Sequence, residues 1–200
     1  PLRLEDVHVP LELTVASLSW PGDDAGDDGD SDSGSWRARR GVRLNRVFSR
    51  AGERLHLFVR GDPGTGKTTA LSRLLWSMLN PNSPSGFDSA AIGLPPNMVP
   101  IFLRLRSVAR LMHTLDDFGE VLERELSAMS NNAFPAGFGR WLWSRGRVVL
   151  LLDGLDEIVS PKARADICGR IEQLLARVSP EHARAVVSSR FAGLREEDGV

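Results

Sequence analysis

Apolar residues recur along the chain in two periods, and the switch from one to the other lays out the elements. Residues 55–59 (LHLFV), 99–105 (VPIFLRL), 148–152 (VVLLL) and 185–189 (AVVSS) are short apolar runs that predict four strands. The run 148–152 is uninterrupted, the pattern of a strand covered on both faces. Between the strands the spacing becomes helical. Leu71, Leu74, Leu75, Met78 and Leu79 share one face of a helix over 68–79. Phe118, Val121, Leu122, Leu126 and Met129 share a face of a second, which Thr114 and Asp117 open as a Thr-x-x-Asp box. A short helix is expected over 138–144. Ser160-Pro161 starts a last one by the N-cap and N1 preferences, with Ile167, Ile171, Leu174, Leu175 and Val178 inward. Residues 80–96, rich in Pro, Ser and Gly, predict a long surface loop. Strands alternating with helices predict an α/β fold, a three-layer sandwich around a mainly parallel sheet. Such sheets bind ligands at the carboxyl ends of their strands.

The first third of the chain reads differently. Residues 1–20 alternate partly and suit an arm or an edge strand, while 21–35 carry Asp23, Asp24, Asp27, Asp28, Asp30 and Asp32 among Gly and Ser. Nothing in 21–35 can fill a core, so a solvated, disordered loop is expected there. Arg37, Arg39, Arg40, Arg43 and Arg46 follow, on a helix whose Leu44, Val47, Phe48 and Ala51 share one face. The globular core is therefore expected over 36–200.

Composition narrows the setting. A net charge of −1 gives no whole-molecule reason to expect nucleic acid or acidic lipid as partner. No apolar stretch approaches the roughly 20 residues of a membrane span. The single cysteine, Cys168, cannot form an intrachain disulfide, which favours a reducing compartment or simply no disulfide requirement, and a cytoplasmic setting is expected. The ends at Pro1 and Val200 read as those of a piece of a longer protein.

The chemistry lies at the strand ends. Directly after the first strand stands Gly61-Asp62-Pro63-Gly64-Thr65-Gly66-Lys67-Thr68, the full G-x-x-x-x-G-K-[ST] spacing. Glycines let such a loop wrap a phosphate with converging N–H groups, and the helix that begins there adds its partial positive charge. Lys67 is expected to reach β- and γ-phosphates, the Thr68 hydroxyl to ligate Mg²⁺, and Thr69 to donate to the α-phosphate. The ligand implied is ATP or ADP with Mg²⁺. The strand 148–152 runs into Asp153-Gly154-Leu155-Asp156-Glu157, and an acid at the end of a core strand is the usual second holder of Mg²⁺. Asp153 takes that place. Gly154 stands where many ATPases have a catalytic glutamate, so the water-activating carboxylate falls to Asp156 or Glu157, with Asp156 favoured. Arg190, after the last strand, is positioned to meet a γ-phosphate.

Together these motifs resemble a NACHT domain of the STAND class of P-loop NTPases. The carriers are GDPGTGKTT (61–69), LLLDGLDEI (150–158) and VVSSR (186–190), in that order, with the strand IFLRLR (101–106) between the first two. The resemblance assigns Lys67 and Thr68 to Walker A, Asp153, Asp156 and Glu157 to Walker B, and Arg190 to sensor 1. It implies a slow ATPase switch that rests with ADP, responds to a sensed ligand, exchanges for ATP and self-associates. In bacteria many members serve antiphage defence. It also implies a helical and winged-helix lid, of which these residues carry no trace. Two other readings stay open: a housekeeping P-loop ATPase or kinase, and a non-hydrolysing nucleotide-binding scaffold. Neither a kinase-type arginine-rich lid nor an LSGGQ-like transporter signature is present.

Overall fold

A computed structural model describes residues 56–83, 86, 88–115, 117–129, 133–178 and 182–190. The expected N-terminal arm, acidic loop and arginine-rich helix lie outside them. Four strands form one sheet in the order β1-β4-β3-β2, where β1 is His56–Arg60, β2 Val99–Arg104, β3 Val148–Asp153 and β4 Ala183–Ser189. Every pairing is parallel, with Leu150 opposite Ala185 on one side and Ile101 on the other. All of β3 is buried, as its unbroken apolar run requires.

The period of two along the strands sorts their side chains into two cores. Val149 and Leu151 join Leu57, Val59 and Val186 on one face, under Ala70, Leu71 and Leu74 of helix α1 (Lys67–Leu79). Val148, Leu150 and Leu152 join Leu103, Ala185 and Val187 on the other. Four helices contribute to that second core: α2 (Leu105–Thr114), α3 (Phe118–Met129), α4 (Phe138–Arg145) and α5 (Pro161–Ala176). Helix, sheet and helix give the three layers expected.

Two expectations need correction. The first is the loop over 80–96, part of which is core. A short 3₁₀ turn, Ser89–Ile92, is capped by Asp88, which accepts from the Ala90 N–H, and Ser89 donates to the Pro95 carbonyl at 2.7 Å. The turn drives Ile92 and Leu94 into the α1 face of the sheet, followed by Met98. The second is α2, whose first residue was expected to end a strand and whose other residues before Thr114 were assigned no element. Leu105 continues the alternation of β2, yet Leu105, Val108 and Met112 are also spaced for a helix face and are buried as one. Thr114 accordingly ends α2, donating to the carbonyls of Arg110 and Leu111, and does not cap α3. Asp117 caps α3, accepting from the Gly119 N–H at 3.0 Å.

Helices α3 and α4 pack almost backbone to backbone. Glu123 on α3 accepts from the N–H groups of Gly137 and Gly139, both at 2.6 Å, and so caps α4 from its neighbour. Trp143 packs on Phe118 with ring centroids 4.8 Å apart, a core role, while Trp141 is exposed.

Candidate functional site

The carboxyl ends of β1, β3 and β4 converge, and each delivers part of the site. From β1 the chain turns through residues 61–66, where the Thr65 hydroxyl and N–H both donate to the Asp62 carbonyl. Gly66 sits at φ 84°, left-handed backbone that side chains rarely adopt, and this bend swings the chain into α1. The start of α1 carries no side-chain cap and no acid in its first turn. Its N–H groups and positive dipole end are thus left for an external anion. Lys67 folds back over the loop and donates to the carbonyls of Gly61 at 2.6 Å and Asp62 at 2.9 Å. Asp62, Pro63, Gly64, Thr65, Thr68 and Thr69 are exposed, so the cradle opens to solvent.

At the second residue of α1, the Thr68 hydroxyl donates to Oδ2 of Asp153 at 2.9 Å, joining two residues 85 positions apart. A carboxylate only accepts, so the Thr68 proton is committed to Asp153 and the hydroxyl lone pairs remain for a cation. A hydroxyl and a carboxylate are hard oxygen donors of the kind Mg²⁺ takes when substrate phosphates and waters complete its shell. The donor set fits Mg²⁺ bound together with a phosphate. Among the described residues no group of three or more His, Cys, Asp or Glu forms a metal cage of its own.

Beyond Asp153 the chain bends at Gly154, φ 82°, into a 3₁₀ turn over Leu155–Glu157. Leu155 is buried and anchors the turn, and Arg164 from α5 donates to the Ile158 carbonyl at 2.9 Å. The two acids of the turn have different surroundings. Asp156 is held on both oxygens by Arg190, from the backbone N–H at 3.1 Å and from Nε at 2.8 Å. Glu157 is exposed and folds back over Gly154, its Cδ 3.1 Å from where a Cβ of residue 154 would stand. The Arg190 guanidinium, expected to face a γ-phosphate, is here engaged by Asp156.

Ser188, which the sequence reading passed over, belongs to the site. Fully buried at the end of β4, it donates to Oδ1 of Asp153 at 2.5 Å and accepts from the Gly154 N–H at 2.9 Å. Its signal was a serine pair continuing an apolar strand into positions that remain buried. Cys168 lies in the second core, its thiol pushed up to about 12 by burial, which leaves it no role as a nucleophile.

A parallel sheet ordered β1-β4-β3-β2, a glycine-lysine phosphate loop after β1 and an acid at the end of β3 define a P-loop NTPase. Within that class, the model of the NACHT domain family matches residues 55–199, and the chain belongs to that family. It is a nucleotide-binding NTPase domain. A comparison with curated proteins finds no match. Among the described residues no helix is long and apolar enough to cross a membrane.

Proposed function

We propose that residues 61–69 hold the phosphates of ATP or ADP, with Mg²⁺ on Thr68 and Asp153, in a slow ATP-hydrolysing switch. The observation that carries this reading is the bond between Thr68 and Asp153, 2.9 Å long, beside a helix N-terminus left uncapped. Mg²⁺, when bound, would neutralise charge on the phosphates. Lys67 would exchange its loop carbonyls for phosphate oxygens, and the loop N–H groups would orient them. Glu157 is our choice for the carboxylate that orients and deprotonates the attacking water. It lies over Gly154, beside Asp153, whereas Asp156 has both oxygens engaged by Arg190. Asp156 then shapes the turn. Arg190 would reach a γ-phosphate by turning its guanidinium away from Oδ2 of Asp156 while its backbone N–H keeps hold of Oδ1, and that exchange of partner would let the turn register the nucleotide.

A signalling or antiphage-defence role, with self-association on activation, rests on family membership. The reading of a switch is tested by comparing ADP and ATP binding with Mg²⁺ and with chelator, alongside single-turnover hydrolysis. A switch requires unequal affinity for the two nucleotides, since a ligand that binds two states equally shifts neither. Equal affinities together with rapid turnover would favour a housekeeping ATPase instead.

A further inference from the structure

We propose that Ser188 is a positioning residue for the metal site, setting how tightly Asp153 receives Mg²⁺. The inference rests on the Mg-nucleotide reading above and adds a residue to it. Ser188 has one proton and two lone pairs. The Gly154 N–H, at 2.9 Å, takes up a lone pair, and the one proton goes to Oδ1 of Asp153 at 2.5 Å. The direction of the chain is therefore fixed, from Gly154 N–H to Ser188 Oγ–H to Asp153.

The consequence falls on the aspartate. Rotation of a carboxylate about its last bond is soft, and an Asp alone at a strand end would sample a broad range. With Ser188 on Oδ1 and Thr68 on Oδ2, both oxygens are pinned and the carboxylate plane is set. The same serine holds the first peptide of the turn that carries Asp156 and Glu157. Both Ser188 and Asp153 are buried, so water does not replace the bond when it is lost. Partners of this kind orient the groups that ligate a metal, and their removal usually weakens metal binding.

A purely structural serine would also be buried and bonded, so the test needs a readout that packing alone does not move. Calorimetry of ADP binding to the 200-residue chain, across a Mg²⁺ titration and in chelator, supplies one. Ser188→Ala should raise the Mg²⁺ needed for half of the full gain in affinity by roughly 10-fold or more, with metal-free affinity unchanged. Ser188→Thr keeps the hydroxyl and should restore the wild-type requirement. An alanine variant with wild-type Mg²⁺ dependence overturns the inference, as does an equal loss of affinity with and without Mg²⁺. Should Ser188→Ala fail to fold, Ser188→Cys keeps the volume with a poor donor and must show the same selective shift. A cysteine variant with the wild-type requirement overturns the inference equally. If the unaltered chain binds ADP with no dependence on Mg²⁺, the Mg-nucleotide reading itself falls and this inference with it.

Discussion

Asp156→Asn and Glu157→Gln should damage different properties. The Asp156 side chain is 12% exposed and meets Arg190 twice, at 2.8 Å through Nε and 3.1 Å through the backbone N–H. Asparagine keeps the shape and one acceptor but loses the charge and turns an N–H group toward a cation. Exposed ion pairs contribute about 0–1 kcal/mol, and the half-exposed Arg190 keeps this one near that range. Replacing a charged acceptor by a neutral one at the backbone N–H costs up to about 1 kcal/mol more. The total, up to about 2 kcal/mol, lowers Tm by as much as roughly 8 °C in a chain of this size. Turnover should fall only a few-fold if Asp156 shapes the turn, as proposed, and Glu157 meets the attacking water. Glu157 is exposed, so Glu157→Gln should leave stability within about 0.5 kcal/mol. It should nevertheless slow hydrolysis by about 10²- to 10⁴-fold, the usual contribution of a general base. Thermal melts and single-turnover hydrolysis of labelled ATP, with protein in excess and ATP binding measured separately, read the two effects. The reasoning is refuted if Asp156→Asn abolishes turnover at unchanged Tm while Glu157→Gln hydrolyses normally.

Gly139→Ala should destabilise the α3–α4 pair, because its Cβ would lie 2.2 Å from the Glu123 nitrogen and 2.4 Å from its Cα. These are backbone atoms that cannot swing aside, so the cost should reach or exceed the roughly 1–3 kcal/mol of an overpacked core, measured by denaturant titration. The Gly137 N–H, with Gly139 behind it, holds the Glu123 carboxyl below its ordinary value of 4.5. The stability it contributes is therefore full above the unfolded pKa and is lost as pH falls through the lower, folded one. Melts of wild type and Glu123→Gln should differ most at neutral pH and converge as the pH falls; a difference that does not shrink in acid counts against the cap.

The parts of this molecule visible in the sequence are those fixed by local spacing. The loop 61–68 needs its glycines and lysine at set offsets, and β3 needs an unbroken apolar run before its acid, so both were legible. The start of α2 was not. Arg104 is at once the last residue of β2 and the N-cap of the helix, and no turn residue marks the change. Leu103 and Leu105 alternate as a strand would, and only packing decides that Leu105, Val108 and Met112 form a helix face. The segment 80–98 hid its core residues for the opposite reason, since turn-formers dominate it and Ile92, Leu94 and Met98 follow no period. Ser188 was illegible because its role depends on strand register, which sets Val187 beside Leu152 and so brings the next pair together. The division of labour between Asp156 and Glu157 depends on Arg190, 34 residues beyond Asp156, and no spacing rule carries that.

The central claim is that Lys67, Thr68 and Asp153 make one Mg-nucleotide site, and Lys67→Ala with ADP and ATP in a calorimeter tests it most directly. The ammonium now bridges the carbonyls of Gly61 and Asp62, at the mouth of the loop where β- and γ-phosphates would lie. A hydrogen bond to a charged group contributes about 1.5–3 kcal/mol, so affinity should drop by roughly 10- to 100-fold, and more for ATP than for ADP. The variant's thermal melt confirms that it is folded. A folded Lys67→Ala protein that binds both nucleotides within about threefold of wild type would contradict the claim.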